Sequence, residues 1–371
     1  MANKAIKYRI YPNAEQKVLL AKTFGCCRFI WNTMLNDKNE YYKANKSMLK
    51  NTPAQYKEKY SFLCEVDSLA LANVQIQLQN TFTRFFNKVC SYPNFKSKHK
   101  AKKSYTTSFV NGNINVYDNY VKLPKLKKVK AKIHRSAPSN WIIKSATVSQ
   151  SGSGRYYVSV LYEYEDTITP VTPTKEKVIG LDYSTPNLYV DSNGNFPIEK
   201  LKYYKLSAEK LSKEQRKLSK KVLGSNNWIK QKQKINKIHC KITNQRNDSL
   251  QKISTAIAKQ YDVVAIEDIS IKEQIQSRKY KNYRKSILDN GWYNFTTMLN
   301  YKLKKRGKQL IKIDKYYPSS QICSCCGYTN PLIKDDSIRK WLCPSCGTIH
   351  KRDYNAAINI KNEGIRILGI A

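Results

Sequence analysis

Two C-x-x-C-G knuckles lie close together in the last part of the chain: Cys323 and Cys326 before Gly327, then Cys343 and Cys346 before Gly347. Nothing else restricts the fold as strongly, because four thiolates at this spacing converge on one tetrahedral Zn2+. The glycine after each pair permits a turn tight enough for backbone amides to approach the sulfurs. Four protein ligands leave no position open for a substrate, so the expected ion is structural. It stabilises a loop too small to bury a core of its own. Cys325 is the odd thiol, since pairing it with Cys323 leaves a single intervening residue, and His350 is the alternative fourth ligand. The other cysteines, Cys26, Cys27, Cys64, Cys90 and Cys240, lack metal-site spacing and read as buried thiols of a reducing cytoplasm.

The charge narrows the partner. Across 371 residues, 67 Lys and Arg face 27 Asp and Glu, a formal net charge of +40. The basic residues run along the whole chain, so an extended polyanion fits better than a small acidic ligand, and nucleic acid is the expectation. A membrane surface is disfavoured: no apolar run reaches transmembrane length, and "MANKAIKYRIYP" lacks the apolar core of a signal peptide. Aromatics beside cations, in "YYKANK", "RFFNK", "KYKNYRK" and "KYYP", could stack on bases while their neighbours meet phosphates.

Periodicity divides the chain. Residues 3–11 alternate like a strand, and a helix follows from Pro12 and Asn13 with Val18, Leu19, Phe24 and Phe29 at helical steps. A second helix carries Leu71, Val74, Leu78, Phe82, Phe85 and Val89, and "NFKSKHKAKKSY" after it reads as a basic linker facing nucleic acid. Residues 105–165 change to strand period, with a turn at Asp118–Asn119 and a hairpin turning on Ser-Gly-Ser-Gly. The first strand is expected to join them in a small β-barrel interrupted by the helices. "DTITPVTPTKEK" is a linker. Beyond it, "VIGLD" and "VVAIE" read as buried strands, 203–260 as a helical hairpin broken at "GSNN", "KQLIKIDK" as a strand and "NAAINIKNEGIRIL" as a closing helix. Strands alternating with helices mean α/β.

Three acids stand where those elements begin or end: Asp182, Glu267 and Asp353. A carboxylate at the end of a buried strand is costly unless charge compensates it, and a divalent cation does so. Gathered at one sheet edge, the three could hold Mg2+ with open water positions, as two ions activating water for phosphodiester cleavage. Alternation sends Glu267 and Asp268 to opposite faces, so only one can join the site.

Taken in order, "GLDYS", "VVAIEDIS", "PSSQICSCCG", "CPSCG" and "HKRDYNAAINI" resemble the TnpB family, RNA-guided DNA endonucleases of bacterial insertion sequences related to the ancestors of type V CRISPR effectors. "YRIYPNAEQKVLLAKTFGCCRFIWN", "LANVQIQLQNTFTRFF" and "SYPNFKSK" extend the likeness over essentially the whole chain. The resemblance implies an α+β multidomain fold: a wedge β-barrel (1–12 and 103–165), an inserted helical recognition lobe (13–102), a linker (166–176) and an RNase H-like RuvC core (177–371) with a zinc-finger insertion (318–350). It makes Asp182, Glu267 and Asp353 the catalytic acids binding two Mg2+, and Cys323, Cys326, Cys343 and Cys346 the ligands of one structural Zn2+. It further implies a guide RNA from the transposon end, a double-stranded DNA target beside a transposon-associated motif, one protein per guide, and a bacterial cytoplasmic location on the nucleoid. Ser184 stands two residues after the first acid, where many relatives carry Gly or another small residue, and it is itself small. A strand-transfer transposase without a guide and a non-catalytic guided repressor are the alternatives.

Overall fold

The computed structural model describes residues 1–197, 202–335 and 337–370. The chain divides into two compact units, Met1–Asp166 and Thr167–Ala371. Within the described residues no helix is long and apolar enough to cross a membrane.

In the first unit, β1 (Ala2–Tyr11) alternates as its sequence demands, burying Ile6, Tyr8 and Ile10 and turning Lys7, Arg9 and Tyr11 to solvent. Asn13 then starts α1 (Ala14–Asn45) with a capping box, its side chain accepting from the Gln16 amide while the Gln16 side chain accepts from the Asn13 amide. The buried stripe of α1 runs through Leu20, Phe24, Cys27, Ile30 and Met34, whereas Val18 is exposed. After the short α2 (Gln55–Lys59), α3 (Ser68–Phe86) starts on an Asp67 cap and buries Ala70, Leu71, Val74, Leu78 and Phe82. It stops before Val89, because Lys88 adopts a left-handed conformation that turns the chain and leaves Val89 exposed.

The basic stretch after α3 is not wholly free. The Trp31 indole donates to the Asn94 carbonyl at 3.0 Å, and Asn32 grips the Lys96 backbone through both N–H (2.8 Å) and carbonyl (3.0 Å). Residues 98–100 are exposed. Strands β2 (Lys103–Ser108), β3 (Asn115–Val116), β4 (Tyr120–Leu123), β5 (Lys127–Lys132), β6 (Ile142–Gln150) and β7 (Tyr156–Tyr164) follow. With β1 they form one seven-stranded antiparallel sheet in the order β2-β6-β7-β1-β5-β4-β3. Its buried side and the stripes of α1 and α3 share one core.

The second unit is three-layered. β8 (Val178–Ser184) and β9 (Leu188–Asp191) form a hairpin, and α4 (Tyr203–Ser219) and α5 (Asn226–Gln260) form the helical pair on either side of Gly224. Then come β10 (Val263–Glu267), α6 (Ile271–Gln276), α7 (Arg284–Asn290), α8 (Trp292–Lys304) and β11 (Gln309–Ile313). The small strands β12 (Lys340–Leu342) and β13 (Ile349–Lys351) pair with each other, and α9 (Arg352–Leu368) closes the fold. The sheet order is β11-β10-β8-β9, with β11, β10 and β8 parallel. Ile179, Leu181, Val264 and Ile266 share a core with Leu250 and Ile257 of α5 and Phe295 and Leu299 of α8. By strand alternation, Gly180, Asp182, Ala265 and Glu267 belong to the other face, where Ala265 packs with Ile360 of α9.

Candidate active site and metal knot

The register pairs Leu181 with Ile266, so Asp182 and Glu267 stand side by side where two neighbouring parallel strands run out. Such a carboxyl-end crevice is the usual ligand position in open α/β sheets. The third acid, Asp353, lies in the first turn of α9. That helix can approach so closely because two positions lack a side chain. A Cβ on Gly180 would come 2.2 Å from the Ala357 carbonyl oxygen, and one on Gly364 would come 2.7 Å from the Ala265 Cβ. Gly180→Ala is therefore expected to push α9 off the sheet, costing about 2–3 kcal/mol and lowering the melting temperature by roughly 4–12 °C. A variant melting like the wild type would contradict that account.

All three acids line a cavity of about 1090 Å³, together with Ser319, Arg339 and Arg352. Burial first, then the charges of Glu267 and Asp353, hold the Asp182 carboxyl well above the usual carboxylate range, with Arg352 and Arg339 opposing. Burial likewise raises Glu267, against the Ser319 hydroxyl that donates to it and the charge of Arg352. Arg339 Nη1 lies 3.3 Å from Asp353 Oδ1. Asp268 points elsewhere and pairs with Lys312 at 2.7 Å, as strand alternation requires. A buried carboxyl held protonated beside two other acids is a chemistry a divalent cation would relieve. Among the described residues only the four thiols gather closely enough to enclose a single ion, so the carboxylates face one cavity without closing on one point.

The thiols do close. The sulfurs of Cys323, Cys326, Cys343 and Cys346 all lie within 4.8 Å of one another. Cys323 and Cys346 are 3.6 Å apart, as are Cys326 and Cys343. A tetrahedron with Zn–S of about 2.3 Å has edges of about 3.8 Å, so the four could hold Zn2+ with little adjustment. Both knuckles repeat one turn: the Gly327 amide donates to the Cys323 carbonyl and the Gly347 amide to the Cys343 carbonyl, each at 2.9 Å, with both glycines left-handed. Cys325 is exposed and outside the cluster. His350 is outside it too, its Nε2 lying 3.0 Å from Cys323 Sγ as a hydrogen-bond partner.

The sequence pattern does not disclose what joins knot to acids. In α9 the Asn355 side chain accepts from the Ser324 amide (2.9 Å) and donates to the Ile322 carbonyl (2.7 Å). One turn on, Asn359 donates to the carbonyls of Ser319 (2.8 Å) and Ile322 (2.7 Å). The first knuckle is thus latched to the helix that carries Asp353, and Ser319 in turn holds Glu267. Two asparagines four residues apart on a buried helix face were the available signal. A fourth acid on the cavity wall was also unforeseen: Asp289 is engaged by the Tyr204 amide (3.0 and 3.2 Å) at the start of α4. Beside it, Asn290 donates to the carbonyls of Ser184 (2.9 Å) and Thr185 (3.0 Å), fixing the chain just past Asp182.

The fold is similar to that of Cas12f1. It superposes on the Cas12f1 chain of a Cas12f1–sgRNA–target DNA complex with a TM-score of 0.58 at 15% identity, covering 98% of this chain and 99% of that one. Residues 292–360 match the family model "Cas12f1-like, TNB domain" and residues 159–278 the model "Probable transposase". Residues 1–47 match a "Helix-turn-helix domain", although here they fold as β1 followed by the single long helix α1. A protein of Streptomyces pristinaespiralis described as an RNA-guided DNA endonuclease is 33% identical over 377 residues, covering 98% of this chain and 89% of its own length. InsQ of Escherichia coli (strain K12), described in the same way, is 31% identical over 386 residues, covering 98% and 93%. The chain belongs to the TnpB/IS605 family.

Proposed function

We propose that the chain is an RNA-guided DNA endonuclease that cuts target DNA beside a transposon-associated motif. The observation that carries the reading is the meeting of Asp182, Glu267 and Asp353 from three distant segments around one cavity. On this reading the second unit is an RNase H-like RuvC core (177–371) with the 318–350 knot as its zinc-finger insertion. The seven-stranded sheet is the wedge barrel (1–12 and 103–165), residues 13–102 are the recognition lobe, and 166–176 are the linker.

Asp182, Glu267 and Asp353 would hold two Mg2+, which when bound activate water and stabilise the leaving oxygen of a phosphodiester. The chain's own contribution is positioning and charge. Arg339 and Arg352 line the same cavity and offer guanidinium groups to a backbone phosphate. Ser319 and Asn290 keep Glu267 and the Asp182 strand end in place. Cys323, Cys326, Cys343 and Cys346 would bind one Zn2+ that orders the knot and takes no part in the chemistry. The protein would act as one copy per guide RNA, in the bacterial cytoplasm and on the nucleoid. Base pairing would read the target sequence while the protein reads backbone shape.

The test is to purify the protein expressed with its native flanking transcript and sequence the RNA that comes with it. A discrete RNA ending in non-transposon sequence, which then programs cutting of matching DNA, is the expected result. Recovery of random fragments alone would overturn the guided reading in favour of a strand-transfer transposase. A discrete RNA without cutting would leave a guided repressor.

A further inference from the structure

His350, offered by the sequence as a fourth metal ligand, stands outside the thiol cluster yet touches it. Both partners are buried: Cys323 is 1% exposed and His350 6%. The imidazole packs on Trp341, its partner across β12 and β13, with ring centroids 4.7 Å apart at an interplanar angle of 38°. That packing aims Nε2 at the Cys323 sulfur, 3.0 Å away. The amides of Cys325 and Cys326 also donate to this sulfur, so the imidazole is a further donor, and it comes from a different segment. A metal-bound thiolate has lone pairs and no proton. Nε2 must then carry the hydrogen, and the bond is charge-assisted.

The bond lies just ahead of a candidate catalytic acid. Ile322 and Ser324 flank Cys323, and Asn355 of α9 holds both, donating to the Ile322 carbonyl at 2.7 Å and accepting from the Ser324 amide at 2.9 Å. Residues 350–355 are thus fastened at both ends to residues 322–324, and Arg352 and Asp353 lie between the two fastenings. Within that span the Arg352 amide donates to the Arg339 carbonyl at 2.9 Å, extending the β12–β13 ladder. From this double fastening we infer that His350 is a positioning residue: its hydrogen bond to the Cys323 thiolate steadies the bound zinc and fixes the strand end from which Asp353 is presented. The four thiols by themselves would reach Asp353 from this side only through a turn with left-handed Gly347 and exposed Ile349. The bond to the knot stands independently; its effect at Asp353 rests on the endonuclease reading above. Hydrogen bonds to metal ligands commonly set both the affinity of a site and the orientation of what surrounds it.

The test uses the full chain and two substitutions that separate the bond from the packing. His350→Phe keeps a ring against Trp341 and removes the donor, whereas His350→Gln removes the ring and restores an N–H at similar reach. Zinc affinity is read by competition with a chromophoric chelator, and the ligand set by the thiolate charge-transfer bands of the Co2+-substituted protein. His350→Phe should weaken zinc binding by about ten- to a hundredfold, and His350→Gln should recover most of the loss. The Co2+ spectrum should remain that of four thiolates in both. With zinc saturating, His350→Phe should also need roughly tenfold more Mg2+ for the same rise in melting temperature. Wild-type zinc affinity in His350→Phe would overturn the inference. Equal losses in the two variants would overturn it too, leaving His350 a packing residue, and a wild-type Co2+ spectrum of three thiolates and one nitrogen would make it a ligand instead. Weakened zinc binding with a wild-type Mg2+ response would overturn the link to Asp353, provided that Asp353→Ala blunts that response. If Asp353→Ala does not, the fault lies in the catalytic reading and the link falls with it.

Discussion

Asp182→Asn is expected to lower DNA cleavage by at least about a thousandfold while raising the melting temperature of the metal-free protein. Both effects have one cause. The Asp182 carboxyl is buried and faces the charges of Glu267 and Asp353, so its proton is held well above the ordinary carboxylate range. A carboxyl with a raised folded-state pKa binds more protons folded than unfolded. Its ionisation therefore erodes stability as pH climbs from the ordinary carboxylate range through the raised value. Asparagine keeps the shape and removes that cost, so the stability gap between variant and wild type should narrow as the pH is lowered. Mg2+ should raise the melting temperature of the wild type more than that of the variant. Guide RNA binding should be unchanged. Differential scanning fluorimetry across pH, with and without Mg2+, together with a plasmid-cleavage assay, reads all of these. Cleavage at the wild-type rate would remove Asp182 from the chemistry.

Cys343→Ser is expected to have the larger structural effect. The knot's core among the described residues consists of Cys323, Ile333, Trp341 and Cys343, with Ile338 against it. So little apolar burial suits a loop held by a bound metal, and structural zinc sites supply about 10–16 kcal/mol in isolated finger peptides. Loss of zinc should release the first knuckle from Asn355 and Asn359. Ser319 would then no longer hold Glu267, nor would Arg339 stay beside Asp353. The expected result is a zinc content near zero, an early melting phase and loss of cleavage even in ample Mg2+. A zinc-selective chelator applied to the wild type should reproduce it. An unchanged melt with full cleavage would show that no metal held by these thiols orders this region. Cys325→Ser should do none of this, because that thiol lies outside the cluster.

Much of this site was legible before any coordinates. The knuckles declared themselves by spacing, since chelation by two thiols of one turn is a local event. The strand character of "VIGLD" and "VVAIE", the helical hairpin and the helix after Asp353 followed from apolar periodicity, which burial enforces residue by residue. Periodicity and structure part at the edges of stripes and helices: Val18, in step with the α1 pattern, is exposed while Leu20 is buried, and Val89 lies beyond a helix that ends at Phe86. Periodicity marks a stripe's direction better than its edges, because exposed apolar residues are common and a left-handed residue such as Lys88 ends a helix without an obvious signal.

By itself, then, the sequence determined which groups were available: four thiols able to share an ion, three acids at element ends, and a cationic surplus that calls for a polyanion. Only the tertiary structure decided that the acids line one cavity, because that depends on a parallel register between β8 and β10 and on a helix seated closely through Gly180 of the strand and Gly364 of the helix. Neither is encoded locally. The latch of Asn355 and Asn359 and the bond between His350 and Cys323 are of the same kind: each exists only once separate segments have docked, and hydrogen bonds act over a few ångströms of space regardless of separation along the chain.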